Sequence, residues 1–157
     1  MSEDLLIRPA VSSDLDTVRA LYHDLNPDDL KADGLTQEQT YAQMLAQPGL
    51  TVLLAFLGDQ PVATLTLVIV PNLTRGCAPY AIVENVVTLT SCRGQGIGKR
   101  LMKGAIEKCW EAGCFKVMLM SGASNTPAHK FYEKLGFVRS KIGFELRQPG
   151  YAPRRIT

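Results

Sequence analysis

The feature that most constrains this chain is a glycine-rich loop set between a β-type segment and an amphipathic helical segment. The loop reads CRGQGIGKRL from Cys92 to Leu101, and an apolar run over residues 80–89 precedes it. Apolar residues then recur at helical spacing, at Ile97, Leu101, Met102, Ala105, Ile106 and Cys109. Glycine lets backbone N–H groups turn toward one point, and the helix start adds unpaired amides and the positive end of its dipole. The sequence therefore predicts a strand, an anion-binding loop and a helix in succession.

The segments on either side predict a mixed α/β domain of the α+β type. Two helices follow a first strand, a hairpin comes next, and a strand, a helix and two short strands follow the loop helix. This order predicts a central mixed sheet with helices on both faces. The predicted strands are Leu5–Arg8, Leu50–Leu57, Val62–Val70, Tyr80–Leu89, Lys116–Met120, Phe137–Ser140 and Ile142–Leu146. The predicted helices begin near Leu15, Thr36, Ile97 and Asn125 and are closed by Asn26, Pro48, Gly113 and Gly136.

Length, composition and charge limit the classes of protein to which the chain can belong. It has 157 residues, 46% of them hydrophobic, and a net charge of +2. These values suit one domain over residues 1–157, with residues 148–157 as a surface tail. The nearly balanced charge argues against a nucleic-acid partner, which normally requires a strongly basic face. The acidic start, Met1–Asp4, and the lack of a long apolar run predict no membrane span and a cytoplasmic location.

The cysteines and histidines do not form a metal-binding pattern. The four cysteines contain no CxxC pair, and the chain has two histidines. We therefore expect no metal site, and we expect reduced, mostly buried thiols, with Cys92 in a packing role.

The spacing of the loop excludes two nucleotide-binding patterns. A mononucleotide P-loop needs Ser or Thr after Gly-Lys and a glycine five positions before Gly98; here Arg100 follows Lys99, and Arg93 occupies the earlier position. A dinucleotide loop needs a glycine three positions after Gly96, where Lys99 stands. The pattern that does fit is Arg-x-x-Gly-x-Gly, at Arg93, Gly96 and Gly98.

That pattern resembles the pyrophosphate loop of the GCN5-related N-acetyltransferases (GNAT), which bind acetyl-coenzyme A (acetyl-CoA). Asn125, followed seven positions later by Tyr132 in the run AHKFYEKLGF, resembles the last helix of the same family. The strand VENVVT, Val83–Thr88, lies where the family has its cofactor strand. The resemblance covers roughly residues 5–146, with its specific motifs in 82–137, and implies a GNAT-like fold with a mixed, mostly antiparallel sheet.

The resemblance also implies which residues contact acetyl-CoA. The pantetheine arm would pair with the backbone of Val86 to Thr88 like an added strand. The pyrophosphate would bind the amides of the loop, and Asn125 would contact the pantetheine or a bound water. The implied cofactor-binding residues are Val86, Val87, Thr88, Arg93, Gly94, Gln95, Gly96, Ile97, Gly98, Lys99, Asn125 and Tyr132.

Two residues are candidates for proton transfer during acetylation of an amine. Tyr132 is the candidate acid, because a phenol with a pKa of about 10 is protonated at neutral pH and can pass its proton to the leaving thiolate. The alternative is a core tyrosine on the apolar face of its helix. Glu84 is the candidate base, directly or through a water, because it is the one carboxylate in an apolar strand, where burial would raise its pKa. The alternative is a carboxylate at a strand edge in water.

The resemblance implies an enzyme that moves the acetyl group of acetyl-CoA directly to a primary amine of a small molecule or a protein. Because family members often dimerise, it also implies a homodimer. Residues 112–117, AGCFKV, and 131–134, FYEK, are in addition similar to the glucosamine 6-phosphate N-acetyltransferases, but residues 120–126 lack the acidic tract expected there.

The acceptor and two other classes of protein stay open. The acidic residues Asp24, Asp28, Asp29 and Asp33 would favour a cationic amine if they face the cleft, and otherwise form a solvated loop. The alternatives to an enzyme are a non-catalytic acyl-CoA-binding module and a module that binds nucleotide or nucleic acid through the basic loop.

Overall fold

The structure is a computed structural model that describes residues 4–153, which fall into two compact units divided after Leu119. The first unit contains the whole sheet, and the second contains the last helix. The strands are β1 Leu5–Pro9, β2 Leu50–Leu57, β3 Gln60–Val70, β4 Tyr80–Thr88 and β5 Val117–Met118. The helices are α1 Leu15–Leu25, α2 Gly34–Ala46, the short α3 Thr74–Cys77, α4 Ile97–Glu111 and α5 Thr126–Lys134.

The sheet of the first unit is mixed and mostly antiparallel, as predicted. Its strands follow one another in the order β1-β2-β3-β4-β5. The pairs from β1 to β4 are antiparallel, and β5 pairs parallel to β4. The loop between β4 and β5 therefore has to cross back over the sheet, and α4 makes this crossover.

Helices cover both faces of this sheet. Val52 and Leu54 of β2 point to the face that carries α1 and α2, where they pack with Val18 and Leu21. Ile7 lies on the opposite face, and a Cβ built on Gly104 of α4 would lie 3.9 Å from its Cδ1 atom. The alternation of β2 is thus apolar on both sides, which is the pattern of a strand buried between two layers.

The two strands predicted after the last helix are wrong. Residues 137–147 form no strand, although their sequence alternates in the way a strand requires. Val138, Ile142, Phe144 and Leu146 are between 78% and 99% exposed. Alternation by itself does not form a strand, because the backbone also needs a neighbour to complete its hydrogen bonds, and the second unit as described supplies none.

Two other predicted boundaries differ from the structure. Helix α2 begins at Gly34 rather than at Thr36, because Asp33 is its N-cap and accepts hydrogen bonds from the Thr36 amide at 2.9 Å and the Thr36 hydroxyl at 2.6 Å. Strand β5 is limited to Val117 and Met118 rather than residues 116–120. Of the predicted surface tail, residues 148–153 are exposed and form neither helix nor strand, while residues 154–157 lie outside the described residues.

The connection between β1 and α1 is held by an ion pair that the sequence did not predict. Asp14, 7% exposed, accepts hydrogen bonds from both terminal nitrogens of Arg8, at 2.7 and 3.0 Å, and from the Val11 amide at 2.8 Å. The guanidinium of Arg8 also lies over the ring of Phe56, 4.7 Å from its centroid. These hydrogen bonds, that from Arg8 first, lower the pKa of the Asp14 carboxyl.

We expect Asp14→Ala to lower the free energy of unfolding by about 1.5–3 kcal/mol at pH 7, because it removes charge-assisted hydrogen bonds. The lower half of that range is favoured, since Arg8 is 35% exposed and can regain water. A depressed pKa stabilises the fold above the unfolded value of about 3.9, and this contribution is lost as the pH falls through the folded value. The difference from wild type should therefore narrow in urea titrations below about pH 3.9.

The matched control for this prediction is Asp16→Ala. Asp16 pairs with Arg19 at 3.2 Å, but its side chain is 94% exposed. Exposed pairs of this kind contribute little. Equal losses in the two variants would contradict the prediction.

Candidate active site

Strand β4 offers an unpaired edge where it leaves β5. The two strands pair only at Ala81 with Val117 and at Ile82 with Met118. From Val83 to Thr88 the described part of β5 supplies no partner on that side, whereas β3 continues to pair on the other. The main-chain groups along this edge can therefore accept an extended ligand as an added strand. The predicted pantetheine residues Val86, Val87 and Thr88 all lie on this stretch.

A β-bulge interrupts β4 at the same place. Thr66 of β3 pairs with Glu84, but Thr64 pairs with Val87, so Asn85 and Val86 together oppose one residue. Asn85 has a φ of 50°, in the left-handed region that asparagine tolerates better than most residues. The extra residue bends the strand and leaves ladder groups without a partner on β3. Sequence reasoning missed this bulge, and Asn85, polar in an apolar strand, was the signal for it.

The glycine loop presents a row of backbone N–H groups at the start of α4. Gly94 and Gly96 have φ values of 78° and 79°, and Gly96 is the N-cap of the helix. The first helical hydrogen bond runs from the Arg100 amide to the Gly96 carbonyl at 3.0 Å. Within residues 4–153 no recorded backbone hydrogen bond begins at the amides of residues 94–99. Together with the dipole of the fifteen-residue helix α4, they form an anion site.

The side chains of the loop have two different tasks. Ile97 is buried and anchors the first turn of α4 in the core, while Gly98 is half-buried. Gln95 and Lys99 are exposed beside the amides. The loop is thus held from below by an apolar residue and is open to solvent above, which an anionic ligand requires.

Arg93 joins the loop to two other elements. Its Nε donates a hydrogen bond to the carbonyl of Thr88 at 3.1 Å, and one terminal nitrogen lies 3.8 Å from Asp24 of α1. Asp24 also accepts a hydrogen bond from the Thr90 hydroxyl at 3.3 Å. One lone pair of the Thr88 carbonyl is thus used by the protein itself, so a ligand that pairs with β4 has to share that oxygen or use its neighbours. Asp24, one of the acidic residues considered for the acceptor, instead braces this loop.

Glu84 lies on the face of the sheet that carries α1. It shares this face with Val87, which is packed into the core cluster of α1, although the two are three positions apart. The bulge accounts for this spacing, since it inserts one extra residue between them. Glu84 is exposed, so the expected burial of its carboxylate is wrong and the alternative, a carboxylate in water, is what the structure shows. Its role as a base stays a prediction.

The predicted residues of the second unit lie on helix α5. Asn125 is its N-cap, and the side-chain Oδ1 accepts a hydrogen bond from the Ala128 amide at 3.3 Å. Pro127 follows in the first turn, where a missing N–H has no cost. Asn125 therefore has a structural task, and its Nδ2 group is the part of the side chain that can still donate to a ligand.

Tyr132 is half-buried among aromatic rings. Its ring meets those of Phe131 and Phe137 edge-on, with centroids 5.2 and 6.0 Å apart. These contacts fix the ring while the phenol oxygen extends beyond it. Each arrangement, that of Asn125 and that of Tyr132, is described within the second unit.

The thiols do not provide a nucleophile. Cys92, Cys109 and Cys114 are buried and Cys77 is exposed, and all four are free. Burial raises the pKa of Cys109 to about 11 and also raises that of Cys114, so both stay protonated at neutral pH. In the described range 4–153, no three His, Cys, Asp or Glu side chains are grouped so that they could hold a metal ion. No helix formed by these residues is both long and apolar enough to cross a bilayer.

Residues 18–137 match the acetyltransferase (GNAT) family. This range includes β4, the glycine loop and α5, and it accounts for most of the chain. The chain therefore belongs to the GNAT acetyltransferase family, which confirms the resemblance stated from the sequence.

Individual relatives agree with this assignment. A protein from Agrobacterium tumefaciens str. C58, assigned as an acetyltransferase, is 48% identical and has a TM-score of 0.88; the match covers 91% of this chain and 99% of that one. Glucosamine 6-phosphate N-acetyltransferase of Trypanosoma brucei brucei is 42% identical over 76 residues, 48% of this chain and 50% of the relative. N-alpha-acetyltransferase MAK3 of Arabidopsis thaliana is 39% identical over 59 residues, 38% of this chain and 31% of the relative. The matched stretches thus span about half or less of these two curated relatives.

Proposed function

We propose that this protein is an acetyl-CoA-dependent N-acetyltransferase that moves the acetyl group directly to a primary amine. The observation that carries the proposal is the junction of β4 and α4. A strand edge without a partner from Val83 to Thr88 leads, within a few residues, into a loop whose amides at 94–99 have no acceptor. A ligand that is extended at one end and anionic at the other fits this pair of features, and acetyl-CoA has that form.

Acetyl-CoA supplies a thioester whose carbonyl carbon accepts the amine nitrogen while the bond to sulfur breaks. The loop amides and Lys99 hold its pyrophosphate, and the backbone of Val86 to Thr88 orients the pantetheine arm. Glu84 receives the proton that the attacking amine loses, directly or through a water, since it is exposed and open to both. Tyr132 donates its phenolic proton to the thiolate sulfur. The burial of Cys92 supports direct transfer over an acyl-cysteine intermediate.

The acceptor is either an amino sugar phosphate or the amino terminus of a protein, in keeping with the printed functions of the relatives from T. brucei brucei and A. thaliana. The acidic residues tested for a cationic acceptor do not form one cluster, because Asp33 caps α2 and Asp24 braces the loop. This distribution weakens the case for a polyamine. The homodimer and the cytoplasmic location stay predictions.

A panel of amines tests the proposal. We expect acetyl-CoA to raise the melting temperature and at least one of glucosamine 6-phosphate, an N-terminal peptide, spermidine and a free amino acid to release CoA thiol. Stabilisation by acetyl-CoA without thiol release from any amine would instead support a non-catalytic acyl-CoA-binding module. Stabilisation by ATP or RNA, with none by acetyl-CoA, would replace the proposal with a nucleotide- or nucleic-acid-binding module.

A further inference from the structure

A pair of hydroxyl groups lies beside Glu84 on the α1 face of the sheet. The phenol oxygen of Tyr22 is 3.0 Å from Oγ1 of Thr66. Thr66 is directly opposite Glu84 in the β3–β4 register. Directly opposed residues share a face, with Cβ atoms roughly 4.5–5.5 Å apart. The hydroxyl pair and the carboxylate therefore border the same space.

This space is the only open side of β4 at Glu84 among the described residues of the sheet. On the α4 face the neighbouring residues Val83 and Leu67 are each 2% exposed, so that side is filled by core. On the α1 face Glu84 is exposed, while Thr66 beneath it is 5% exposed. An amine that delivers a proton to Glu84 has to come from the α1 face, where Tyr22 and Thr66 form its floor.

The hydrogen count of the pair leaves one donor available. Two hydroxyl groups carry two hydrogens, and their mutual hydrogen bond uses one of them. No other hydrogen bond of either hydroxyl is recorded within residues 4–153. Thr64, one step along the same face, differs because its hydroxyl is spent on the Leu53 carbonyl at 2.8 Å. The second hydrogen of the Tyr22–Thr66 pair is therefore free to reach Glu84, a water or an acceptor.

Fold stability does not explain why this position is polar. Replacing both members of a buried hydrogen-bonded pair by apolar groups of the same shape is nearly neutral. Phenylalanine and valine would fill the places of Tyr22 and Thr66 in the cluster under α1. A role in the reaction explains the two hydroxyls better than packing does.

We propose that Tyr22 and Thr66 are positioning residues for the acceptor. Their free hydroxyl hydrogen holds the carboxylate of Glu84, or the water between it and the amine, in line with the proton that the amine loses. The pair itself neither gains nor loses a proton overall. This inference rests on the proposed acetyltransferase function and extends it to the acceptor side of the site.

The test uses Tyr22→Phe and Thr66→Val with the most active amine of the panel. We expect each to lower kcat/KM for the amine roughly 5–10-fold, the loss of one hydrogen bond, with the Kd for acetyl-CoA unchanged. In a Glu84→Gln background the same changes should have little further effect, because the groups act as a unit. A merely structural role would give the same fold-change in both backgrounds.

Two matched controls use hydroxyls with backbone partners. Tyr41→Phe removes the hydrogen bond from Tyr41 to the Val11 carbonyl, 2.8 Å long, and Thr64→Val removes the one to Leu53. Both should lower stability and leave kcat/KM near wild type. The two test variants are independent, so misfolding of one, seen by circular dichroism, leaves the other to decide.

The outcomes separate this inference from the proposed function. If wild type acetylates no amine, the proposed function fails and the inference with it. If wild type is active but Tyr22→Phe and Thr66→Val match it, or lose as much in the Glu84→Gln background as in wild type, only the inference is overturned.

Discussion

Tyr132→Phe is expected to lower kcat about 100-fold at neutral pH while leaving the Kd for acetyl-CoA within about twofold. The substitution removes one oxygen and keeps the ring that meets Phe131 and Phe137 edge-on. If the phenol protonates the departing thiolate, its loss forces the sulfur to leave as an anion or to take its proton from water. Steady-state turnover with the best amine of the panel, together with calorimetric binding of acetyl-CoA, measures both quantities.

The control is Tyr151→Phe in the same unit. Tyr151 is 62% exposed, and its loss of a hydroxyl should change neither quantity. An unchanged kcat in Tyr132→Phe would remove the residue from the acid role and restore the alternative, a tyrosine kept for packing. A Kd for acetyl-CoA that rises as much as kcat falls would assign it to binding instead of to proton transfer.

The local elements of the first unit were predictable because their signals are local. The glycine loop and its helix follow from Gly94, Gly96 and the apolar spacing after Ile97, and the structure has α4 at Ile97–Glu111. The β2–β3 hairpin follows from its turn residues, with Gly58 at a φ of 55°. In each case the residues that decide the conformation lie within a few positions of one another, so one sequence carries the whole signal.

The bulge in β4 was beyond such reasoning. Alternation assigns Glu84 and Val87 to opposite faces, whereas the extra residue at Asn85 and Val86 brings both to the α1 face. A bulge depends on how β4 meets β3, which lies more than fifteen positions earlier. The same limit applies to the contact of Arg93 with Asp24 and to the Tyr22–Thr66 pair, since each joins elements far apart in the chain.

The mistaken strands after α5 show the opposite error. Ile142, Phe144 and Leu146 alternate with polar residues, which favours a strand. All three are more than four-fifths exposed. A period of two states only that a segment could serve as one side of a ladder, and it gives no information on whether a partner strand is available.

The Gly96→Val substitution is expected to raise the Kd for acetyl-CoA roughly 10–100-fold. Gly96 has a φ of 79°, where a β-branched residue is strained. A Cβ at this position would meet nothing within 4 Å, so the loss does not come from a clash inside the protein. It comes from the loop leaving the conformation that aims its amides at one point, and from a side chain standing in the space that the anion occupies.

The chain provides a closely matched control at the other end of the same helix. Gly113 has a φ of 78°, and a Cβ built there also meets nothing within 4 Å. Gly113→Val therefore has a similar cost in backbone strain, roughly 1–3 kcal/mol, but leaves the amides at residues 94–99 in place. Calorimetry should show a weakened Kd only in Gly96→Val, and S-acetylpantetheine, which lacks the pyrophosphate, should bind wild type and Gly96→Val alike. Equal losses of acetyl-CoA affinity in the two variants would trace the effect to the stability of α4 and exclude the loop as the pyrophosphate site.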